Sequence, residues 1–223
     1  MSDTLTIGVL LFDDVEELDV VGRWEVLGFW ASHIASTPLH VLAVGPEAGV
    51  VRASKGLGLV ADHAATDVPA FNVLVHPGGN GTRALVKDSA HLEWLRHLHT
   101  QGTVLASACT GSLVLAAAGL LAGRPATTHR DYLNRLAKID PSVDVRTRER
   151  YVDDGDIVTS AGVSAGIDMA LLARAITVSG WSAVEVPPLR RQGLCAGLGP
   201  AFLPLTTWGA IEAGHGSGPA CGR

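Results

Sequence analysis

The stretch TVLASACTGSLVLAAAGLL, residues 103–121, contains two secondary-structure segments joined by a sharp connection. Residues 103–108 form a short, largely apolar run of the kind that makes a strand buried on both faces. Residues 113–121 are apolar and long enough for a buried helix. Small residues surround Cys109 between the two segments. A strand that passes directly into a helix is typical of α/β proteins, in which ligands bind at the carboxyl edge of the sheet.

The same alternation of strand-like and helix-like segments runs along most of the chain. Short β-prone runs indicate strands, and apolar residues three or four apart indicate helices. We expect strands at 5–12, 39–44, 71–76, 143–146, 149–152 and 156–159, and helices at 19–33, 88–99 and 164–177. The last two strands are predicted to form a hairpin through Asp153-Asp154-Gly155, and looser structure is expected between 39–44 and 71–76. This order predicts an α/β fold, a flavodoxin-like sandwich with a mostly parallel central sheet and helices on both faces.

Composition excludes several classes of protein. The 223 residues are 47% hydrophobic and 17% charged, with a net charge of -5 and no basic cluster, which argues against nucleic-acid binding. The longest apolar stretch, 113–122, is too short to span a membrane. With no signal-peptide pattern at the start, we expect a cytoplasmic protein. Three widely spaced cysteines and nine scattered histidines predict neither a disulfide scaffold nor a metal site.

Cys109 is the first candidate for a functional residue. It sits where the predicted strand meets the predicted helix, which is the setting of a nucleophile elbow. The helix N-terminus is expected to lower the pKa of the thiol and to favour the thiolate. The alternative is that Cys109 is a small core residue.

Glycines and carboxylates supply further candidates near strand ends. Residues 77–81 (PGGNG) follow a predicted strand, and their backbone could form an oxyanion hole or an anion nest, or an ordinary loop. Five carboxylates lie between the first strand and the first helix: Asp13, Asp14, Glu16, Glu17 and Asp19. Most are expected to cap the helix or face solvent, whereas one that faced the cysteine would have a raised pKa and could move a proton.

A second motif, GVSAG at residues 162–166, matches the GxSxG pattern of serine hydrolases. Its expected partners are missing, because Asp168 lies in the same predicted helix turn and His215 is the only later histidine. The sequence therefore favours the cysteine over Ser164 as the nucleophile.

Taken together, these motifs resemble the ThiJ/PfpI superfamily, whose members have a class I glutamine amidotransferase-like fold. The resemblance covers about residues 5–178. It is carried by GVLLFDDVEELDVVG (8–22), HPGGNG (76–81), ACTGSLVLAAAGLLAGRPATTH (108–129) and DGDIVTSAGVSAGID (154–168). Within the superfamily the sequence is most similar to the isocyanide (isonitrile) hydratases. The resemblance implies a homodimeric enzyme without a cofactor, which hydrates small isocyanides to N-substituted formamides through a thioimidate.

The resemblance also implies roles for individual residues. Cys109 would be the nucleophile, with Asp19 and Thr110 as its catalytic partners; the related deglycases carry a glutamate in place of Asp19, which favours the hydratase. Gly78, Gly79, Thr110 and His129 would bind the substrate or its developing negative charge. The hydratases usually continue the ATTH run with tryptophan, whereas this sequence continues with Arg130.

The same residues are compatible with other functions. A glyoxalase or deglycase would use the same Cys109, and related domains in AraC-type regulators sense ligands, so a stand-alone ligand or redox sensor is an alternative. A regulator of that type needs a helix-turn-helix domain, and 181–223 contains no basic recognition helix.

The end of the chain differs in composition from the rest. Residues 193–223 hold 8 of the 26 glycines and 3 of the 11 prolines, and Glu212 and Arg223 are the charged residues there. We expect a ThiJ/PfpI-type domain over 1–180 and an atypical Gly/Pro-rich tail over 181–223, for which a shifted reading frame is one hypothesis.

Overall fold

The computed structural model describes residues 4–35, 37–68 and 70–162. The strands are β1 (Leu5–Leu10), β2 (Leu39–Gly45), β3 (Gly49–Arg52), β4 (Gly58–Ala61), β5 (His63–Ala64), β6 (Val73–His76), β7 (Val104–Ala108), β8 (Pro125–Ala126), β9 (Asp144–Val145), β10 (Tyr151–Asp153) and β11 (Ile157–Ser160). The helices are α1 (Glu17–His33), α2 (Thr82–Leu85), α3 (Ser89–Thr100), α4 (Gly111–Ala117) and α5 (Leu133–Ile139).

The central sheet has seven strands in the order β10-β11-β7-β6-β1-β2-β5. All neighbours in it are parallel except β10 and β11, which form an antiparallel hairpin. The expected mostly parallel α/β sandwich is therefore confirmed, and Gly155 in the predicted hairpin turn has a φ of 81°. Because β1, β6 and β7 lie side by side, the segments that follow them meet at one edge of the sheet.

The interior strands are apolar along their whole length because both faces of the sheet are covered. Val9 of β1, Leu74 of β6 and Leu105 of β7 are at most 1% exposed. This core fixes the register of the three strands whose carboxyl ends carry the candidate site.

Two predictions from the sequence need correction. Helix α4 ends at Ala117 instead of residue 121, because Gly119 has a φ of 75° and the Leu120 N–H bonds back to the Leu115 carbonyl in a Schellman-type ending. The loose structure expected between 39–44 and 71–76 is also wrong, since β3 and β4 form an antiparallel hairpin there. These strands have four residues each and lack the apolar run that marks the core strands.

Some expectations fall outside the described residues. The predicted helix 164–177, most of the GVSAG motif and the domain boundary near 180 belong to this group. Within the described ranges, no helix has the length and apolar character needed to cross a membrane.

Candidate active site

Cys109 sits in a strained turn between β7 and α4. Its φ of 51° is in the left-handed region, which non-glycine residues rarely adopt. Three hydrogen bonds hold the turn: the Cys109 N–H donates to the Ser160 carbonyl at 3.0 Å, and the Cys109 carbonyl accepts from Thr128 Oγ1 at 2.9 Å and from Ser112 Oγ at 3.3 Å. This is the geometry of a nucleophile elbow, in which surrounding structure maintains the strain at the reactive residue.

Asp19 is the buried member of the five carboxylates at the start of α1. Its side chain is 0% exposed, whereas Asp13 and Asp14 are exposed and Glu16 and Glu17 are half-buried. Both carboxylate oxygens have partners: the Gly78 N–H donates to Oδ2 at 2.9 Å, and Arg23 Nη1 donates to Oδ1 at 3.0 Å.

Gly78 is the point at which these groups converge. A Cβ atom placed on Gly78 would lie 2.7 Å from the Thr110 nitrogen, 2.8 Å from Cys109 Cβ and 2.9 Å from Asp19 Oδ2. Such distances are shorter than van der Waals contact. The missing side chain of Gly78 therefore allows the cysteine, the aspartate and the Thr110 amide to surround one small space.

Thr110 links the glycine loop to the nucleophile turn. Its hydroxyl accepts a hydrogen bond from the Gly79 N–H at 3.0 Å and lies 3.3 Å from the Gly79 carbonyl, to which it can donate. Thr82 Oγ1 approaches the same groups, at 2.8 Å from the Gly79 carbonyl and 3.2 Å from Thr110 Oγ1. The Gly78 and Gly79 amides, which the sequence predicts as anion donors, thus already hold Asp19 and Thr110.

The electrostatic environment of Cys109 differs from the sequence-based expectation. Burial raises the pKa of the thiol to about 12 from an ordinary 9.0, and the negative charge of Asp19 adds to this rise. The Thr110 N–H and Arg23 act in the opposite direction but do not outweigh burial. The expected lowering of the thiol pKa is therefore wrong, and at neutral pH Cys109 is a thiol.

Asp19 is shifted in the same direction. Burial raises its pKa, and the positive charge of Arg23 and the Gly78 N–H partly offset that rise. A neutral thiol beside a carboxylate with a raised pKa is an arrangement suited to moving a proton from sulfur to oxygen.

A cleft of about 140 Å³ opens beside the turn. Its lining comprises Glu16, Ser54, Gly79, Asn80, Thr110, His129 and Tyr132. His129 is half-buried, and its ring packs edge-on against Tyr132 with the centroids 5.9 Å apart. The structure thus brings His129 and Thr110 to one cleft, while the exposed Arg130 is not part of its lining.

Three side chains at the site were missed by reasoning from the sequence. Arg23 lies four residues after Asp19, the spacing of an ion pair on one helix face, and this signal could have identified it. Thr128, whose hydroxyl donates a hydrogen bond to the Cys109 carbonyl, lies in the ATTH run.

The third of these side chains is Lys55. Its ammonium group lies 2.6 Å from Glu16 and 3.1 Å from Glu17, which attaches the loop between β3 and β4 to the start of α1. No local sequence pattern indicates this contact.

A metal centre is not indicated by the described residues. No group of three or more histidine, cysteine, aspartate or glutamate side chains is arranged there to hold a metal ion.

Comparison with known proteins connects this geometry to a family. Residues 6–175 match the DJ-1/PfpI family. The chain is 39% identical to the isonitrile hydratase of Pseudomonas putida over 168 residues, which make up 75% of this chain and 69% of that enzyme. It is 38% identical to the HTH-type transcriptional regulator CdhR of Pseudomonas aeruginosa over 133 residues, 59% of this chain and 38% of the regulator.

A solved structure shares the fold. The crystal structure of Drosophila melanogaster DJ-1beta matches with a TM-score of 0.69 and 24% identity, covering 78% of this chain and 91% of that one. At this identity the likeness concerns the fold alone.

Proposed function

This chain belongs to the DJ-1/PfpI family, as its motifs predict, and from that premise we propose that it hydrates isocyanides to N-substituted formamides. The observation that carries the proposal is the convergence of Cys109 Cβ and Asp19 Oδ2 on Gly78. The similarity to an isonitrile hydratase supports the same reaction.

The first step forms a covalent intermediate on Cys109. The thiol proton passes to Asp19 as the sulfur attacks the terminal carbon of R–N≡C, and Asp19 then delivers that proton to the same carbon. The S–H bond breaks, one C–S and one C–H bond form, and the product is the thioimidate R–N=CH–S–Cys109. Because the proton moves within the pair, the reaction does not need a free thiolate, which a pKa of about 12 makes scarce at neutral pH.

The second step is hydrolysis. Asp19 takes a proton from water as the oxygen adds to the thioimidate carbon, and passes that proton to the nitrogen, which gives R–NH–CH(OH)–S–Cys109. Collapse of this tetrahedral intermediate breaks the C–S bond, transfers the hydroxyl proton through Asp19 to the sulfur and releases R–NH–CHO. The net reaction consumes one water and regenerates the thiol.

The neighbouring residues have three different roles, which follow from their contacts. The Thr110 backbone N–H interacts with the sulfur and is the donor we assign to developing negative charge. The Gly78 N–H positions Asp19, and the Gly79 N–H positions Thr110. His129 lines the cleft, where we place the substituent R.

The test is turnover of one alkyl and one aryl isocyanide in ¹⁸O-labelled water, followed by mass spectrometry. We expect labelled formamide from the wild-type chain and none from Cys109→Ala. Formamide release by Cys109→Ala at the wild-type rate would rule out covalent catalysis by this residue, and no release by the wild-type chain would rule out the reaction.

The alternatives make different predictions on the same purified protein. A glyoxalase would convert methylglyoxal to lactate in a Cys109-dependent manner without acting on isocyanides. A peroxide sensor requires an accessible thiolate, because oxidation follows thiolate character, and the buried thiol with its raised pKa argues against that role.

We also propose a homodimer, on the basis of an apolar outer surface. Leu18 and Val21 on α1 and Val50 and Val60 on the β3–β4 hairpin are between 43% and 66% exposed. Contiguous exposed apolar patches mark association surfaces, and we propose that these four side chains belong to one. Light scattering should give twice the chain mass for the wild type and the single chain mass for Val21→Lys/Val60→Lys. Ile34→Lys, at the exposed end of α1, is the control expected to remain dimeric.

A further inference from the structure

Arg23 is a buried cation whose hydrogen-bonding capacity is only partly used. Its side chain is 0% exposed. Nη1 donates to Asp19 Oδ1 at 3.0 Å and to the Leu18 carbonyl at 3.2 Å, while Nε and Nη2 have no hydrogen-bond partner among the described residues. Buried donors of charged groups are almost always paired, so two unpaired donors on one guanidinium require an explanation.

The position of Arg23 suggests a reason for keeping this cation buried. It holds the oxygen of Asp19 that does not bond to the Gly78 amide, so Arg23, Asp19 and Gly78 form a chain of hydrogen bonds that ends beside Cys109. Asp19 and Glu16 place negative charge near the sulfur, and Arg23 places positive charge there. The charge of Glu16 is already countered by Lys55, at 2.6 Å.

The proton transfer of the proposed reaction changes what Arg23 has to neutralise. Before the transfer, Asp19 is the anion and Cys109 is neutral. After it, the S–H bond has broken, an O–H bond has formed on Asp19, and the negative charge is on sulfur. The total charge of the three groups stays the same, but the negative charge has moved from the carboxylate that Arg23 holds to the sulfur, which has the Thr110 N–H as its hydrogen-bond donor.

We propose that Arg23 is a positioning residue for this reaction, which orients the Asp19 carboxylate through Nη1 and whose remaining positive charge offsets the negative charge that develops on Cys109. The reaction it serves is the proposed hydration, on which this role in turnover rests. Its effect on the thiol itself does not depend on the identity of the substrate.

The first experiment therefore uses no isocyanide. The rate of Cys109 alkylation by iodoacetamide is followed between pH 7 and pH 10 by peptide-level mass spectrometry, which separates Cys109 from Cys195 and Cys221. We expect Arg23→Met to react about tenfold more slowly at each pH, the effect of one pKa unit, and Arg23→Lys to react within about threefold of the wild type, a smaller shift on the same scale. Equal rates for Arg23→Met and the wild type would overturn the proposal.

A second pair of variants covers the case in which Arg23→Met does not fold. Asp19→Asn/Arg23→Met removes both charges of the buried pair and is compared with Asp19→Asn alone, with thermal unfolding as the check on structure. We expect slower Cys109 alkylation in the double variant, because the thiol loses its nearby cation. Identical rates in these two variants would show that Arg23 does not act on the sulfur.

Turnover provides the remaining readout. With isocyanide as substrate, Arg23→Met should lower kcat and leave KM nearly unchanged, and Arg23→Lys should restore part of kcat. Glu25→Gln, on the exposed side of the same helix, is the matched control and should leave both constants unchanged. Formamide release by the wild-type chain decides the proposed function, and the alkylation rates decide the role of Arg23, so that either can fail without the other.

Discussion

Asp19 Oδ2 accepts a hydrogen bond from the Gly78 backbone N–H over 2.9 Å. This contact joins the first turn of α1 to the loop after β6, two segments that are far apart in the chain. It also fixes the second carboxylate oxygen on the side of Gly78 that Cys109 approaches. The relative position of the two proposed catalytic groups thus depends on one backbone amide.

Replacing Asp19 by asparagine tests whether its carboxylate moves a proton. An amide of the same shape cannot accept the thiol proton, so Asp19→Asn should lower kcat for formamide release by about 10²–10⁴-fold, the usual range for a general acid–base group. Because breaking a buried ion pair costs about 3–5 kcal/mol, urea unfolding is measured alongside. A folded Asp19→Asn variant with wild-type kcat would exclude Asp19 from the chemistry.

Adding one methyl group at Gly78 tests the convergence geometry. Its Cβ would meet Cys109 Cβ at 2.8 Å and Asp19 Oδ2 at 2.9 Å, so Gly78→Ala should push these groups apart and lower kcat/KM by at least about tenfold, equivalent to about 1.4 kcal/mol of transition-state stabilisation. Gly28→Ala is the control, because nothing lies within 4 Å of its added carbon and α1 should gain up to about 1 kcal/mol. Full activity in Gly78→Ala would contradict the proposed crowding.

Thr110 can be replaced by residues of similar size that keep or remove its hydroxyl group. Thr110→Val removes the hydroxyl and leaves the Gly79 N–H without its acceptor, which should lower the free energy of unfolding by about 1–3 kcal/mol and reduce kcat. Thr110→Ser keeps the hydroxyl and should retain most of both. If the valine and serine variants had the same stability and kcat, the Gly79 contact would have no role.

His76 should make the protein sensitive to acid. Its ring is buried, Nδ1 lies 2.9 Å from the Pro77 carbonyl and Nε2 lies 3.1 Å from His91 Nε2. Burial and the neighbouring His91 lower the pKa of His76 from 6.5 to about 3. His76 is therefore protonated below about pH 6.5 in the unfolded chain but stays neutral down to about pH 3 in the folded chain. Its contribution to the free energy of unfolding is complete above pH 6.5 and declines as the pH falls from 6.5 toward 3.

The size of this effect follows from linkage. By pH 5 the loss attributable to His76 should be about 2 kcal/mol, measured as the change in urea unfolding free energy between pH 7 and pH 5. His76→Gln should reduce that change, and His97→Gln, which alters an exposed histidine of α3, should not. An equal pH dependence in both variants would assign the acid sensitivity to other groups.

The sequence predicts those parts of the fold that depend on local pattern. Strands such as β6 and β7 are continuous apolar runs, because helices cover both faces of a parallel sheet. The end of α4 at Ala117 is decided by the left-handed conformation of Gly119, and the β3–β4 hairpin by pairing between short strands with exposed side chains. Neither feature produces a periodic pattern of apolar residues from which it could be predicted.

At the site, too, some features follow from the local sequence, and others depend on contacts between elements that are distant in the chain. The position of Cys109 at a strand end follows from local sequence, and the resemblance adds Asp19. The raised pKa of the thiol could not be predicted, because it depends on how deeply the turn is buried and on the charge of a residue from another element. The two unpaired nitrogens of Arg23 likewise depend on what packs around the helix.

The hydrogen bond from the Cys109 N–H to the Ser160 carbonyl has a consequence for how the protein matures. Ser160 is the last residue of β11, which pairs with β7 only after the intervening helices and loops have been synthesised. A nascent chain that has not yet produced β11 contains the cysteine without the contact that holds its turn. The Cys109 turn therefore gains its full set of hydrogen bonds only after β11 has been synthesised, and the edge of β7 that β11 covers remains unpaired until then.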